Sequence, residues 1–180
     1  MGKKRICYYV AACYCVFAVF TPGCGKKLPP GMPKLHPASV TVTQENAPLD
    51  NAMVQFFPTD PALSQWGPSG TTDANGVAVL STNGQYPGVP EGHYKVIVIK
   101  QEREPHPHPE WSFLPDEDPK FRQFQSINAR LKTYVYVERK YSNIVNTPLE
   151  ANITAGKNEL QLDAGAKVTI VETPGLTPGQ

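Results

Sequence analysis

Short runs of β-branched and aromatic residues, separated by proline and glycine, constrain this chain more than any other feature. Of its 180 residues, 19 are proline and 14 are glycine. The runs between them are rich in Val, Ile, Thr and Tyr, which suit a pleated, half-buried surface. The pattern predicts an all-β domain with many turns.

The strand pattern is clear between residues 38 and 172. Val40 and Val42 fall on one face of an alternating segment, and Val96–Ile99 is apolar on both faces, as in the middle of a sandwich. Ala155-Gly156-Lys157 is typical of a hairpin turn. About seven or eight short strands at this spacing predict an antiparallel β-sandwich. The predicted segments are Ser39–Thr43, Ala52–Phe57, Thr71–Thr72, Val77–Ser81, His93–Gln101, Thr133–Glu138, Leu149–Thr154, Asn158–Asp163 and Ala166–Val171.

Residues 101–132 interrupt this pattern as one long insert. Gln101–Pro119 is charged, rich in proline and without a period. Asp118-Pro119 then has the form of a helix N-cap followed by proline at the first helical position. Lys120–Lys132 predicts a short helix, and long segments of this kind are usually functional or disordered. Its apolar face would carry Phe121, Phe124, Ile127 and Leu131.

The first 23 residues have the organisation of an export signal. A basic start (Lys3, Lys4, Arg5) precedes fifteen largely apolar residues, Ile6–Phe20, and then Thr21-Pro22-Gly23. A helix of that length reaches about 22 Å, which is short of the roughly 30 Å hydrocarbon core of a bilayer. We therefore predict a signal peptide over residues 1–23 rather than a membrane span.

Cys24 follows this signal directly, and the arrangement resembles the lipobox of bacterial lipoproteins, whose cysteine is lipidated and becomes the new N-terminus. Gly23 fits that pattern, whereas Thr21 stands where leucine is usual and Pro22 is uncommon. The resemblance implies an exported protein, lipid-anchored to a bacterial membrane and facing the periplasm or the cell exterior. An uncleaved anchor, or ordinary cleavage that leaves Cys24 as a plain thiol, are the alternatives.

Composition limits the remaining functions. No cysteine follows position 24, so we expect neither an intramolecular disulfide nor a Cys-based metal site in the mature domain. Without the three basic residues of the signal, 14 basic side chains face 16 acidic ones, a net charge of −2. That balance argues against nucleic-acid binding. We predict a lipidated N-terminus and proline-rich tether over 24–37, and a disordered tail over 173–180.

Three segments resemble a known family: Thr71–Leu80 (TTDANGVAVL), Val89–Val96 (VPEGHYKV) and Lys140–Leu160. The first two are similar to motifs of carboxypeptidase-regulatory-like, transthyretin-like β-sandwiches, and the third is similar to the C-terminal part of small secreted lipoproteins of planctomycete-type bacteria. The resemblance spans roughly residues 38–171. It implies an immunoglobulin-like or transthyretin-like fold and a binding or structural module of the cell envelope.

His106-Pro107-His108 is the one closely spaced histidine pair. Such a pair binds a transition metal if both imidazoles converge and a third ligand arrives. The prolines hold this stretch extended, so a solvated pair is the preferred interpretation, and no metal or cofactor is expected.

Aromatic residues in loops are the other candidate ligand contacts. Trp66, Trp111 and Phe113 could stack on sugars or peptides, or each could pack over an end of the sandwich. For catalysis there is no Gly-x-Ser-x-Gly elbow. The C-terminal Tyr-Arg-Gly-Ser of transthyretin-like hydrolases is replaced by Leu176–Gln180. We therefore expect a non-enzymatic lipoprotein that binds protein or glycan, with a carbohydrate-binding module and a metal site at His106 and His108 as alternatives.

Overall fold

The computed structural model describes residues 28–174. Cys24, the predicted signal peptide and the chain beyond residue 174 lie outside the described residues, so the predictions made for them stay predictions. Between residues 28 and 174, none of the helices combines the length and the apolar character that a membrane crossing requires.

The described chain is dominated by short strands. In chain order these are β1 (Leu35–His36), β2 (Ala38–Gln44), β3 (Ala47–Pro48), β4 (Met53–Pro58), β5 (Pro68–Thr71), β6 (Val77–Val79), β7 (Ser81–Thr82), β8 (Tyr86–Pro87), β9 (Val89–Pro90), β10 (Gly92–Ile99), β11 (Gln101–Arg103), β12 (Thr133–Val135), β13 (Glu150–Ile153), β14 (Asn158–Asp163) and β15 (Ile170–Glu172). The helical segments are two 3-10 turns, Pro61–Leu63 and Pro109–Phe113, and one α-helix, α1 (Pro119–Asn128).

Two sheets pack face to face, which confirms the predicted all-β sandwich. The larger has the order β13-β10-β4-β5-β7-β8, and the smaller has the order β14-β2-β3, with β6 also paired to β2. The ladders between the described strands are antiparallel, with the exception of β2 and β14. That parallel pair runs in register from Ala38 opposite Asn158 to Thr43 opposite Asp163, and it departs from a wholly antiparallel sandwich.

The core lies between these sheets. Val40 and Val42 of β2 face Val54 and Phe56 of β4, and all four are essentially inaccessible to solvent. The continuous apolar run in β10 is buried on both faces, as the sequence predicts for a central strand. Burying such side chains contributes roughly 1.5–3 kcal/mol each.

The predicted hairpin around Ala155-Gly156-Lys157 is wrong. β13 pairs with β10 in the larger sheet, whereas β14 pairs with β2 in the smaller one. The connection therefore crosses from one layer to the other. Asn158 holds this corner, because its amide accepts from the N–H of Thr154 at 3.1 Å and donates to the carbonyls of Thr154 and Gly156 at 3.0 and 3.1 Å.

The last residues of the predicted tether belong to the folded domain. Leu35–His36 pairs with Val89–Pro90, and the His36 side chain is only 5% exposed. Its Nδ1 atom accepts from the N–H of Gly156 at 2.9 Å. The prediction of a tether over 24–37 is therefore too long, since a buried, hydrogen-bonded histidine and a strand pair fix its end.

The turn at Asp73-Ala74-Asn75-Gly76 is confirmed. One carboxylate oxygen of Asp73 accepts from the N–H groups of Asn75 and Val77, both at 2.9 Å, and these bonds lower the pKa of Asp73. Gly76 has φ +73°, and a Cβ there would lie 2.6 Å from the carbonyl oxygen of Val42. Glycine is therefore required by conformation and by space.

The sandwich has two distinct ends. At the first, which we call the tether pole, β1 and β9 pair immediately before β2 and β10 begin. At the second, the insert pole, β2 and β10 end together: the Gln44 amide donates to the carbonyl of Tyr136 at 2.9 Å, and the N–H of Tyr136 donates to the carbonyl of Lys100 at 2.9 Å. Eight residues of β10 at about 3.3 Å each separate the poles by roughly 26 Å.

Candidate functional site

The insert rises from a small sheet at the insert pole. β11 pairs with β12, which pairs in turn with β15, in the order β11-β12-β15. Just beyond this sheet the N–H of Glu104 donates to the carbonyl of Lys132 at 2.8 Å, and the N–H of Lys132 donates to the Glu104 carboxylate at 3.2 Å. The insert thus begins and ends at neighbouring points on the sandwich.

Helix α1 matches the predicted helix in its start and in its apolar face. Asp118 is the N-cap, and its carboxylate accepts from the N–H of Lys120 at 2.8 Å. The helix ends at Asn128, four residues before the predicted end. Lys132 instead forms hydrogen bonds with the backbone N–H and the carboxylate of Glu104. The side chains of the predicted apolar face are half-buried or buried: Phe121, Phe124, Ile127 and Leu131.

His106 joins the extended stretch of the insert to α1. Its Nε2 lies 3.2 Å from the carbonyl oxygen of Phe124, and its Nδ1 accepts from the N–H of His108 at 2.9 Å. The ring also packs on the Phe124 ring at a centroid separation of 4.2 Å. These contacts fit a neutral imidazole that carries its proton on Nε2.

His108 serves a different contact. Its ring stacks on the Trp111 indole at 3.9 Å and 10°, and its Nδ1 is 3.4 Å from the Glu110 carboxylate. The imidazoles of His106 and His108 are therefore engaged separately. Within residues 28–174, no group of three or more His, Cys, Asp or Glu side chains could hold a metal ion.

The three candidate aromatic residues differ in accessibility. Trp66 is only 7% exposed, and its backbone N–H donates to the carbonyl of Leu63 at 2.8 Å, at the end of the first 3-10 turn. The burial of Trp66 contradicts the hypothesis that it is a stacking platform, since little of the indole is accessible to a ligand. Trp111 is half-buried, and Phe113 is 89% exposed.

Two clefts at the insert pole were not foreseen from the sequence. They measure about 350 and 310 Å³, and Lys100 lines both. Lys100 pairs with Asp50 at 2.7 Å, and that bond lowers the pKa of the Asp50 carboxyl. In the second cleft the Tyr136 hydroxyl donates to Glu102 at 3.1 Å, which raises the pKa of Tyr136. These side chains come from distant segments, so no local motif could have joined them.

Comparison with known proteins gives little further guidance. No family model matches the chain, and no curated protein matches it. One similar solved structure is a 9R-lipoxygenase from Cyanothece PCC8801, with a TM-score of 0.33 and 15% identity. The match covers 72% of this chain and 16% of the lipoxygenase chain, so this protein spans less than a fifth of that structure.

Proposed function

We propose that this protein is a non-catalytic lipoprotein of the bacterial cell envelope, anchored through Cys24, which presents its β-sandwich and insert to a protein partner. The signal-like segment over residues 1–23 and the lipobox-like cysteine support the anchor. The motifs at Thr71–Leu80 and Val89–Val96 support a kinship with carboxypeptidase-regulatory-like, transthyretin-like β-sandwiches.

One observation carries the proposal: the chain enters the domain at the tether pole, and the insert stands at the other pole. Cys24 lies eleven positions before Leu35, the first residue of β1. An anchor at Cys24 would keep the tether pole near the membrane and hold the insert roughly 26 Å farther out. A recognition surface placed there would be accessible to other envelope proteins.

The anchor is tested by the intact mass of the full chain recovered from bacterial membranes, compared with a Cys24→Ser variant. We expect a chain that begins at Cys24 and carries diacylglycerol, and a variant that lacks this modification. An unmodified chain beginning at Met1, or a soluble unlipidated chain, would refute the anchor.

The orientation is tested with single labels, since no cysteine follows position 24. Lys157→Cys places a fluorophore at the tether pole, and Ser112→Cys places one on the insert. In the lipid-anchored protein, a quencher in the bilayer should reduce emission from Lys157→Cys more than from Ser112→Cys. The opposite order would place the insert against the membrane.

A carbohydrate-binding role is the second candidate, because the exposed Phe113 ring and the half-buried Trp111 indole lie on one short segment. It predicts retention of the protein on polysaccharide that Trp111→Ala reduces while the circular dichroism spectrum stays the same. Equal retention of both proteins, or no retention, would exclude this role.

A further inference from the structure

Residues 109–114 of the insert form an apolar surface, which we call the ridge. Phe113 is 89% exposed, the largest exposed fraction among the large hydrophobic side chains that are exposed in residues 28–174. Trp111 and Leu114 beside it are half-buried. An aromatic ring of this size usually buries 150–250 Å² when it is covered, so the ridge offers a partner a concentrated apolar contact.

The ridge is held in place by the rest of the insert. The backbone N–H of Trp111 donates to the carbonyl of His108 at 3.2 Å, and the backbone N–H of Leu114 donates to the carbonyl of Trp111 at 3.3 Å. The Ser112 hydroxyl donates to the carbonyl of Pro109 at 2.7 Å. The His108 ring covers one face of Trp111. A pre-ordered surface loses less entropy on binding than a flexible one.

Along the chain, the charges on either side of the ridge are all negative. From residue 104 to residue 119 the chain carries no Lys or Arg, and the nearest basic residues along the chain are Arg103 and Lys120. In this stretch, the carboxylates of Glu104 and Asp118 accept hydrogen bonds from the backbone N–H groups of Lys132 and Lys120. The carboxylates of the stretch are Glu104, Glu110, Asp116, Glu117 and Asp118.

We propose that this ridge docks a basic segment of another envelope protein, one that carries Lys or Arg beside apolar side chains. The apolar part of that segment would cover Phe113, and its positive charges would face Glu110, Asp116 and Glu117. Complementary charge increases the association rate and rejects acidic competitors, whereas the buried aromatic ring slows dissociation. This proposal rests on the proposed function in one respect only, namely that the partner is located in the cell envelope.

The test uses the full chain in nonionic detergent and a short synthetic peptide of Lys and Leu residues immobilised on a sensor. A peptide of Glu and Leu residues serves as the charge control. We expect binding to the basic peptide that weakens as NaCl is raised, since exposed charges are screened over about 10 Å at 0.1 M salt. We expect no binding to the acidic peptide.

Variants separate the apolar part from the charged part. Phe113→Ser should weaken binding at least tenfold through faster dissociation, whereas Val145→Ser, at a 78% exposed valine outside the insert, should leave it unchanged. Asp116→Asn with Glu117→Gln should slow association severalfold, whereas Glu159→Gln with Asp163→Asn on β14 should not.

Equal binding by Phe113→Ser and wild type, equal binding of the acidic peptide, or no binding would overturn the docking proposal. Self-association of the chain that Phe113→Ser abolishes would assign the ridge to a second copy, and would also overturn it. Failure of lipidation at Cys24 would overturn the proposed anchor and leave the peptide measurements valid, so the two failures are distinguishable.

Discussion

The Tyr141 hydroxyl lies directly against Gly165, such that a Cβ on Gly165 would stand 2.6 Å from that oxygen and 2.7 Å from the ring. Gly165 also has φ +75°. Gly165→Ala should therefore lower the free energy of unfolding by about 2–4 kcal/mol, from the strained backbone and from displacement of a buried ring. Urea denaturation measures this change.

Gly84→Ala is the matched control for this clash. Gly84 has φ +66° and nothing within 4 Å of its Cβ position, so the substitution should cost only the conformational strain, about 1 kcal/mol. Equal losses in the two variants would show that Tyr141 moves aside without cost.

Tyr94 should produce an alkaline dependence of stability. Burial raises the pKa of Tyr94 to about 12, whereas the same hydroxyl in the unfolded chain has a pKa near 10. The stabilisation that comes from this difference is therefore complete below about pH 10 and is lost as pH rises toward 12. Near pH 7, Tyr94→Phe should cost about 1 kcal/mol, because the hydroxyl donates to the carbonyl of Pro90 at 2.8 Å. The difference between the proteins should narrow above pH 10, as measured by urea denaturation. A constant difference up to pH 12 would contradict this origin.

The corner between the two sheets should depend on Asn158. Asn158→Ala removes the three hydrogen bonds that this buried side chain makes with backbone groups, and it should cost about 2–3 kcal/mol. Asn152→Ala, at an exposed position of β13, should change the free energy of unfolding by less than about 0.5 kcal/mol. Similar values for the two variants in urea denaturation would mean that backbone pairing alone sets the corner.

The Thr72 hydroxyl should secure the turn before β4. It donates to the carbonyl of Leu49 at 2.7 Å and accepts from the N–H of Ala52 at 2.8 Å. Thr72→Val leaves both groups without their partner and should cost about 2–3 kcal/mol, with faster hydrogen exchange at the Ala52 amide. The exposed Thr71→Val is the control, and unchanged exchange at Ala52 in Thr72→Val would refute the role.

Within the insert, His106→Ala should loosen α1 without unfolding the sandwich. The substitution removes both hydrogen bonds of the ring, to the carbonyl of Phe124 and from the N–H of His108, together with its packing on the Phe124 ring. Amide exchange in residues 119–128 should accelerate, whereas the thermal midpoint should change little. The exposed His93→Ala should leave exchange in α1 unchanged, and an equal effect of both variants would show that His106 does not hold the helix.

Local signals predicted local structure well. Alternation located β2, the continuous apolar run located β10, and Asp118-Pro119 located the start of α1. Each depends on residues close in sequence, where periodicity and capping determine the backbone. Asn158–Asp163 was predicted with the same limits as β14.

Long-range arrangement could not be predicted in the same way. Nothing near Ala155-Gly156-Lys157 distinguishes a hairpin from a crossing between layers, because that choice depends on what pairs with β14. Trp66 and His36 lie in proline-rich segments that look exposed, yet distant parts of the chain bury them. The accessibility of Phe113 likewise follows from packing of the insert.

Because Glu104 and Lys132 are adjacent, the insert between them is structurally independent of the sandwich core. Backbone atoms 2.8 Å apart at its two ends could be joined by a tight turn, which would leave β11 and β12 as a plain hairpin. Residues 105–131 could therefore change in length or sequence without disturbing the core, and the same sandwich could carry a different surface at this pole.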